Sequence, residues 1–227
     1  MSDAVVVIGA GLIGASIGQA LVKAGFDVHL EDRIASHAAV AAGRGAGTTD
    51  PAEPASVGLV VVAIPPDAIA SVVAKALVRY PNATVTDVGS VKSAVVAGVA
   101  AKGVEMSRYV GSHPMAGSQH AGPLTAVPEL FVDRTWVITP HDTSSEAAVA
   151  RVEELARICG AVIVRMDAST HDHAVAEISH VPQIMSSLTA GHLRSVPSEH
   201  LQLAGQGIRD VTRIAGSDPV LWRQICL

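Results

Sequence analysis

The stretch "AVVVIGAGLIG", residues 4–14, decides the fold. Its unbroken apolar run, residues 4–9, is typical of a strand that is buried on both faces of a parallel sheet. Three glycines follow with the spacing G-x-G-x-x-G, and a helical pattern continues over residues 12–25. Between a strand and a helix, this spacing indicates a turn that binds a dinucleotide.

The three glycines have different tasks in such a turn. Gly9 permits the tight turn, Gly11 lets a pyrophosphate approach the backbone, and Gly14 lets helix and strand pack closely. Leu12 and Ile13 lie at the helix N-terminus, where free N–H groups and a partial positive charge attract phosphate. A glycine turn without a ligand is the simpler alternative.

An acidic pair at the end of the next predicted strand, residues 27–32, favours the dinucleotide. Asp32 stands near the spacing of about 20 residues at which a carboxylate binds the adenosine ribose hydroxyls. Asp32, rather than Glu31, is the predicted ligand, and this choice favours NAD. Arg33 can instead face a 2′-phosphate, so NADP remains open.

Strand and helix patterns then alternate along the chain up to residue 113, with further strands predicted over residues 57–65, 83–90 and 108–113. This alternation predicts an α/β fold of Rossmann type, with a parallel sheet and helices on both faces. After residue 123 the rhythm changes, and two more strands, residues 133–140 and 161–166, flank a predicted helix over residues 144–160. Residues 167–196, with a bend near Pro182, and residues 198–227 show only helical patterns. We therefore expect a dinucleotide-binding domain over residues 1–166 and an all-α domain over residues 167–227.

Composition narrows the class of partner. The chain has 227 residues, 49% of them hydrophobic and 3% aromatic, and a formal net charge of −5. It contains no run of Lys and Arg, which argues against nucleic acid and anionic membranes as partners. The apolar runs are shorter than the ~20 residues that span a bilayer, so no membrane segment is predicted. Cys159 and Cys226 lie far apart, which fits a reducing cytoplasm.

Three loops follow predicted strands and should converge on the nicotinamide end of the dinucleotide. They span residues 63–69, 87–93 and 111–117. In the first loop, Ile64 and Pro65 are expected beside the cofactor. In the third, His113 is placed to take a hydroxyl proton as hydride leaves the same carbon, although a purely structural histidine is the alternative. The glycine-rich stretch 111–122 is expected to form neither a helix nor a central strand.

Four sequence blocks carry a specific resemblance. They are "TDVGSVKS" (86–93), "GSHPMAGS" (111–118), "ISHVPQ" (178–183) and "GIRDVTRIAGSDPVLW" (207–222). Together and in this order they resemble the prephenate dehydrogenase (TyrA) family, which includes arogenate dehydrogenases. The resemblance implies NAD(P)-dependent oxidative decarboxylation of prephenate or arogenate in tyrosine biosynthesis. It also implies a homodimer formed through the helical domain.

The same resemblance implies the roles of individual residues. His113 matches the histidine that accepts the hydroxyl proton, and Ser90 matches the serine that hydrogen-bonds near this histidine and the nicotinamide. Arg213 matches the arginine that holds a substrate carboxylate, while His180 and Ser118 are expected near the substrate. Arginine suits this task because its planar fork binds carboxylate in a bidentate manner. The alternatives are a helix N-cap for Ser90 and a surface ion pair for Arg213.

Two features depart from the family pattern. Gln183 is expected at the side-chain end of the substrate, where many relatives carry a second histidine, so the preference for prephenate over arogenate and feedback inhibition by tyrosine remain open. The chain stops at "WRQICL", within a helical pattern, which indicates a naturally short form or a fragment with an incomplete helical domain.

Several other polar residues have open roles. His173, Glu177 and His180 are spaced like metal ligands on a helix, but the family reaction needs no metal and none is predicted. His171, like His173, is expected to be structural or to face solvent. Lys92 either approaches the cofactor or remains solvated.

Two other functions compete with this hypothesis. A dehydrogenase of the β-hydroxyacid type would need a catalytic lysine from the helical domain, and no lysine follows Lys102. A catalytically silent dinucleotide-binding module would have no use for Ser90, His113 and Arg213.

Overall fold

The computed structural model describes residues 4–117 and 122–226. Seven strands form one sheet in the order β2-β1-β3-β4-β5-β6-β7. The strands are β1 (Ala4–Ile8), β2 (Val28–Glu31), β3 (Val57–Val62), β4 (Thr84–Asp87), β5 (Tyr109–Pro114), β6 (Thr135–Thr139) and β7 (Val162–Arg165). Strands β1 to β5 are parallel, so their carboxyl ends meet at one edge of the sheet.

Helices cover both faces of this sheet, as predicted. They are α1 (Leu12–Lys23), α2 (Ala35–Gly43), α3 (Pro66–Arg79), α4 (Ser93–Ala100) and α5 (Glu146–Ile158). Alternate residues of β1 point to opposite faces: Val5 and Val7 pack in the core cluster with α1, α2 and α5, whereas Val6 packs with α3 and α4. This double burial explains why the strand is apolar at every position.

The first five strands form the predicted parallel sheet, and the strand direction changes after β5. Strand β6 runs antiparallel to β5, and β7 runs parallel to β6. Parallel neighbours need a long crossover, usually a helix. The described part of the link between β5 and β6 contains only a short 3₁₀ turn, Pro123–Thr125, so the chain returns beside β5 in the opposite direction.

Residues 111–114 lie in β5, so the prediction that this glycine-rich stretch avoids a central strand was wrong. The reason lies in the register of the neighbouring strands. The pairing of β4 with β5 ends at Asp87 and Gly111, while β5 continues beside β6 as far as Pro114. Pro114 is therefore tolerated because this end of β5 has a partner strand on one side only.

The chain divides into two compact units, Met1–His171 and Asp172–Leu227. The expected domain boundary at residue 166 remains a prediction. From residue 168 onwards the elements are α6 (Ala168–Val175), a π-helical turn (Ala176–His180), α7 (Val181–His192), a 3₁₀ turn (Leu193–Ser195), α8 (Ser198–Leu201), α9 (Gln206–Thr212), a 3₁₀ turn (Arg213–Gly216) and α10 (Pro219–Cys226). Pro182 lies in the first turn of α7, directly after the π-helical turn. Proline has no N–H for the regular helical ladder, which accounts for an irregular turn at this position.

Across residues 4–117 and 122–226, no helix combines the length and the apolar character that crossing a bilayer requires.

Candidate active site

The glycine turn after β1 combines close packing with an open position. Gly9 has a φ of 101°, and a Cβ atom there would lie 2.2 Å from the Ala63 carbonyl oxygen. A Cβ atom at Gly14 would lie 1.9 Å from the Gly9 carbonyl oxygen. Packing within the chain therefore explains both of these glycines. A Cβ atom at Gly11 would meet nothing within 4 Å, so the chain itself does not require glycine at this position.

The open position lies at the N-terminus of α1. Gly11 is the N-cap of this helix and provides no side-chain hydrogen bond, and the first turn contains no acidic residue. The helix begins with Leu12 and Ile13, as the predicted cofactor-binding turn requires. Unprotected N–H groups and the helix dipole together suit a phosphate, which fits the pyrophosphate of a dinucleotide.

Asp32 follows β2 directly and lies against the glycine turn. Its Oδ2 atom accepts a hydrogen bond from the Ala10 N–H at 2.7 Å, and its Oδ1 atom accepts one from the Ile34 N–H at 2.7 Å. These bonds hold the carboxylate at the carboxyl edge of the sheet, where the sequence predicts the ribose site. Arg33, the candidate for a 2′-phosphate, is exposed next to it.

Glu31, the other member of the acidic pair, is engaged by side chains of the same domain. Its Oε1 atom accepts a hydrogen bond from the Tyr80 hydroxyl at 2.8 Å, and its Oε2 atom lies 3.1 Å from Arg79 Nη1. Burial, together with Glu31, raises the pKa of Tyr80 above its ordinary value. Of the two carboxylates, Asp32 is therefore the one held at the glycine turn.

The loops after β3 and β4 reach the same edge of the sheet. Ile64 lies against the glycine turn, since its Cγ2 atom is 2.8 Å from the position of a Cβ atom on Gly9. Pro65 is exposed and precedes α3. Ser90 is half-buried in the loop between β4 and α4. The alternative role of Ser90 as a helix N-cap was wrong, because Lys92 occupies the N-cap position of α4.

Lys92 is not solvated, so one of its two expected roles was wrong. It is fully buried, forms an ion pair with Asp87 and donates a hydrogen bond to the Ser112 carbonyl oxygen at 2.7 Å. The Tyr109 hydroxyl donates to Asp87 Oδ1 at 2.7 Å. Burial and the Asp87 carboxylate raise the pKa of Tyr109 well above its ordinary value. This buried cluster joins the loop after β4 to the residue that precedes His113 in β5.

His113 lies in β5 and is 9% exposed. Its Nδ1 atom is 2.9 Å from His171 Nε2, within hydrogen-bond distance. His171 is fully buried, so it does not face solvent as one of its expected roles required. The sequence analysis missed this contact; the only available signal was the position of His171 one turn after Asp167, at a predicted strand–helix junction.

In the helical unit, two side chains of α7 hold the segment that carries Arg213. Gln183 is buried, and its Nε2 atom donates to the Ile214 carbonyl oxygen at 3.0 Å. The Ser186 hydroxyl donates to the Val211 carbonyl oxygen at 2.6 Å. Arg213 itself is exposed in the 3₁₀ turn that follows α9.

The remaining predicted site residues have separate surroundings. The His180 ring meets the Trp222 ring edge to face, with the ring centroids 5.8 Å apart. Ser118 lies outside the described residues. Within the described ranges, no group of three or more His, Cys, Asp and Glu residues is arranged to hold a metal ion.

Both parts of the chain match known protein families. Residues 17–165 match the family model for the nucleotide-binding domain of prephenate dehydrogenase, and residues 167–227 match the model for its dimerization domain. The chain is 38% identical over 221 residues to a probable prephenate dehydrogenase, NovF, of Streptomyces niveus. That alignment covers 97% of this chain and 61% of the relative's length.

Two solved structures have the same fold. Synechocystis arogenate dehydrogenase is 28% identical with a TM-score of 0.81, and the match covers 98% of this chain and 82% of that one. Prephenate dehydrogenase from A. aeolicus, solved with hydroxyphenyl propionate and NAD+, is 28% identical with a TM-score of 0.86; the match covers 99% and 82% of the two chains. The matched family models span nearly the whole sequence, and on this ground the chain belongs to the prephenate dehydrogenase family.

Proposed function

We propose that this chain forms an NAD-dependent dehydrogenase that oxidatively decarboxylates prephenate or arogenate. The proposal depends on the position of His113. This residue is nearly buried in β5, and it lies at the same edge of the sheet as the glycine turn and the loop after β4. Beginning at β1, three strand-to-strand steps of about 4.8 Å lead across β3 and β4 to β5. A dinucleotide anchored at the glycine turn would extend along this edge towards His113.

The cofactor assignment is supported by two features of the binding turn. The space above Gly11 and the N-terminus of α1 suit the pyrophosphate, with Leu12, Ile13, Ile64 and Pro65 forming the surroundings. The Asp32 carboxylate suits the two ribose hydroxyls of NAD and would repel the 2′-phosphate of NADP. Arg33, exposed beside Asp32, is the residue that would face the 2′-phosphate if NADP bound instead.

When bound, NAD+ accepts the hydride that leaves C4 of the substrate ring. His113 takes the proton of the 4-hydroxyl group as the C4–H bond breaks. The bond to the ring carboxylate then breaks, its electron pair enters the ring, and CO₂ leaves. The resulting phenolate oxygen takes the proton back from His113, so the reaction consumes no net proton. Ser90 is assigned a hydrogen bond at the point where His113, the reacting hydroxyl group and the nicotinamide meet.

Substrate binding is assigned to the helical unit. Arg213 holds a substrate carboxylate by charge-assisted hydrogen bonds, each worth about 1.5–3 kcal/mol. Gln183, together with His180, is assigned to the side-chain end of the substrate, and Ser118 is assigned a further contact with the substrate. Prephenate and arogenate differ at this end, by a keto oxygen against an amine, and both remain candidate substrates.

The proposal includes a homodimer, because the family model matched by residues 167–227 is that of a dimerization domain. It also includes a cytoplasmic location, which is supported by Cys159 being buried and unpaired. A dehydrogenase of the β-hydroxyacid type and a silent binding module are the competing functions.

The decisive experiment follows formation of the reduced nicotinamide spectrophotometrically with prephenate and arogenate, each with NAD+ and NADP+. We expect turnover with NAD+ and at least one of these substrates. His113→Asn should lower kcat by about 10²–10⁴-fold, because it removes the general base. The dissociation constant for NAD+ should change by less than about twofold, since the cofactor contacts are retained.

Loss of NAD+ binding in His113→Asn would show that the residue is structural. Activity with β-hydroxyacids alone, or NAD+ binding without turnover of any substrate, would favour one of the two competing functions.

A further inference from the structure

His171 occupies an unusual place for a residue that the reaction does not use. Its imidazole is fully buried and its Nε2 atom lies 2.9 Å from Nδ1 of His113. The two rings meet at 70°, with their centroids 5.1 Å apart. This geometry suits a hydrogen bond directed from the edge of one ring towards a nitrogen of the other.

The local fold fixes the position of His171. Asp167 begins α6 by accepting hydrogen bonds from the Thr170 N–H at 2.9 Å and from the Thr170 hydroxyl at 2.6 Å. The His171 N–H donates to the Asp167 carbonyl oxygen at 3.0 Å, which completes the first turn. On the other side, His113 is held in β5 by its pairing with Val137 of β6. The backbones of both histidines therefore lie in regular structure rather than in loops.

A hydrogen bond between two ring nitrogens needs one N–H and one lone pair, so two arrangements are possible. In the first, His113 donates from Nδ1 to the lone pair on His171 Nε2, and the neutral His113 ring then carries its own lone pair on Nε2. In the second, His171 donates to His113 Nδ1, and the neutral His113 ring carries a proton on Nε2. Only the first arrangement lets His113 accept a proton at Nε2.

We propose that His171 is a positioning residue that accepts the Nδ1 proton of His113 and thereby keeps the base in the tautomer whose Nε2 atom can take a proton. The proposal rests on the general-base role of His113 in the proposed function. During the reaction Nε2 gains the hydroxyl proton, and the Nδ1–H bond to His171 becomes charge-assisted and therefore stronger.

The first test is independent of turnover. ¹⁵N NMR of the wild-type chain, at a pH about two units above the ordinary histidine pKa, reports which nitrogen of each neutral imidazole carries the proton. The His113 resonances are identified by their absence in His113→Asn. We expect the Nδ1–H tautomer for His113 in the wild type. Finding the Nε2–H tautomer would overturn the proposal even if the enzyme were fully active.

The second test uses substitutions at His171. Leucine fills the site without accepting a hydrogen bond, and we expect His171→Leu to lower kcat by about 10–100-fold, as the loss of an orienting partner typically does. The KM values for substrate and NAD+ should remain within about threefold of wild type. His171→Gln supplies a side-chain oxygen as acceptor and should restore kcat to within about threefold of wild type.

His173→Leu is the matched control, because His173 is an exposed histidine nearby on the same helix. It should leave kcat unchanged. An unchanged kcat in His171→Leu, or equal losses in the Leu and Gln variants, would overturn the positioning role. If neither prephenate nor arogenate is turned over, the wild-type tautomer still tests the inference, so its failure can be distinguished from failure of the proposed function.

Discussion

At the scale of single residues, the adjacent carboxylates Glu31 and Asp32 have different tasks. Tyr80 and Arg79 engage Glu31, whereas Asp32 is held against the glycine turn by the Ala10 N–H. Asp32→Asn keeps the size of the side chain and removes its charge. We expect the dissociation constant for NAD+ to rise about tenfold, which is the equivalent of one charged hydrogen bond. The affinity for NADP+ should increase relative to the affinity for NAD+.

Glu31→Gln is the matched control for this measurement by calorimetry, because it makes the same chemical change one position earlier. It should leave the affinity for NAD+ within about twofold of wild type, since Glu31 contacts Tyr80 and Arg79 rather than the glycine turn. An equal loss of affinity in both variants would remove Asp32 from its assigned role as the ribose ligand.

At the scale of elements, the buried ion pair between Lys92 and Asp87 joins β4, α4 and β5. Lys92→Met leaves the Asp87 carboxylate buried without its cation. Breaking a buried pair in this way typically costs about 3–5 kcal/mol, and we expect a loss of that size in the free energy of unfolding, measured by denaturant titration. Lys75→Met is the same substitution at an exposed position of α3, and it should change the free energy of unfolding by less than about 0.5 kcal/mol. Similar values for the two variants would contradict a structural role for the pair.

At the scale of the whole molecule, the helical unit exposes a row of large apolar side chains. On α7, Val181, Ile184, Met185 and Leu188 are 54%, 44%, 57% and 62% exposed. Patches of this kind mark protein–protein contacts, in agreement with the dimerization model matched by this unit. Light scattering should give the mass of a dimer for the wild type and a lower average mass for Leu188→Glu, because a buried carboxylate opposes association.

Val78→Glu is the control for the dimer measurement. Val78 is 73% exposed on α3, in the dinucleotide-binding unit. The substitution should leave the measured mass unchanged. A dimer that survives Leu188→Glu but is lost in Val78→Glu would place the interface on the other unit.

The sequence by itself determined the features that depend on neighbouring residues. The glycine turn, the buried strand before it and the helix after it lie within residues 4–23, and their spacing reflects backbone conformation and packing along a short segment. The two-part organisation could likewise be predicted, because strand patterns end where helical patterns take over. Residue types in the four family blocks pointed to His113, Ser90 and Arg213 as candidates.

Only the tertiary structure decided which distant groups meet. The reversed direction of β6, the burial of Lys92 and the bond between His113 and His171 were not predictable from spacing. His171 lies 58 residues from His113, and Ser112 lies 20 residues from Lys92. Burial and hydrogen bonding at these positions depend on strand order and on the path of the chain between strands. A local sequence pattern carries no information about strand order or about the path of the chain between strands. The same histidine or lysine is compatible with its local structure whether its side chain lies in solvent or in the core.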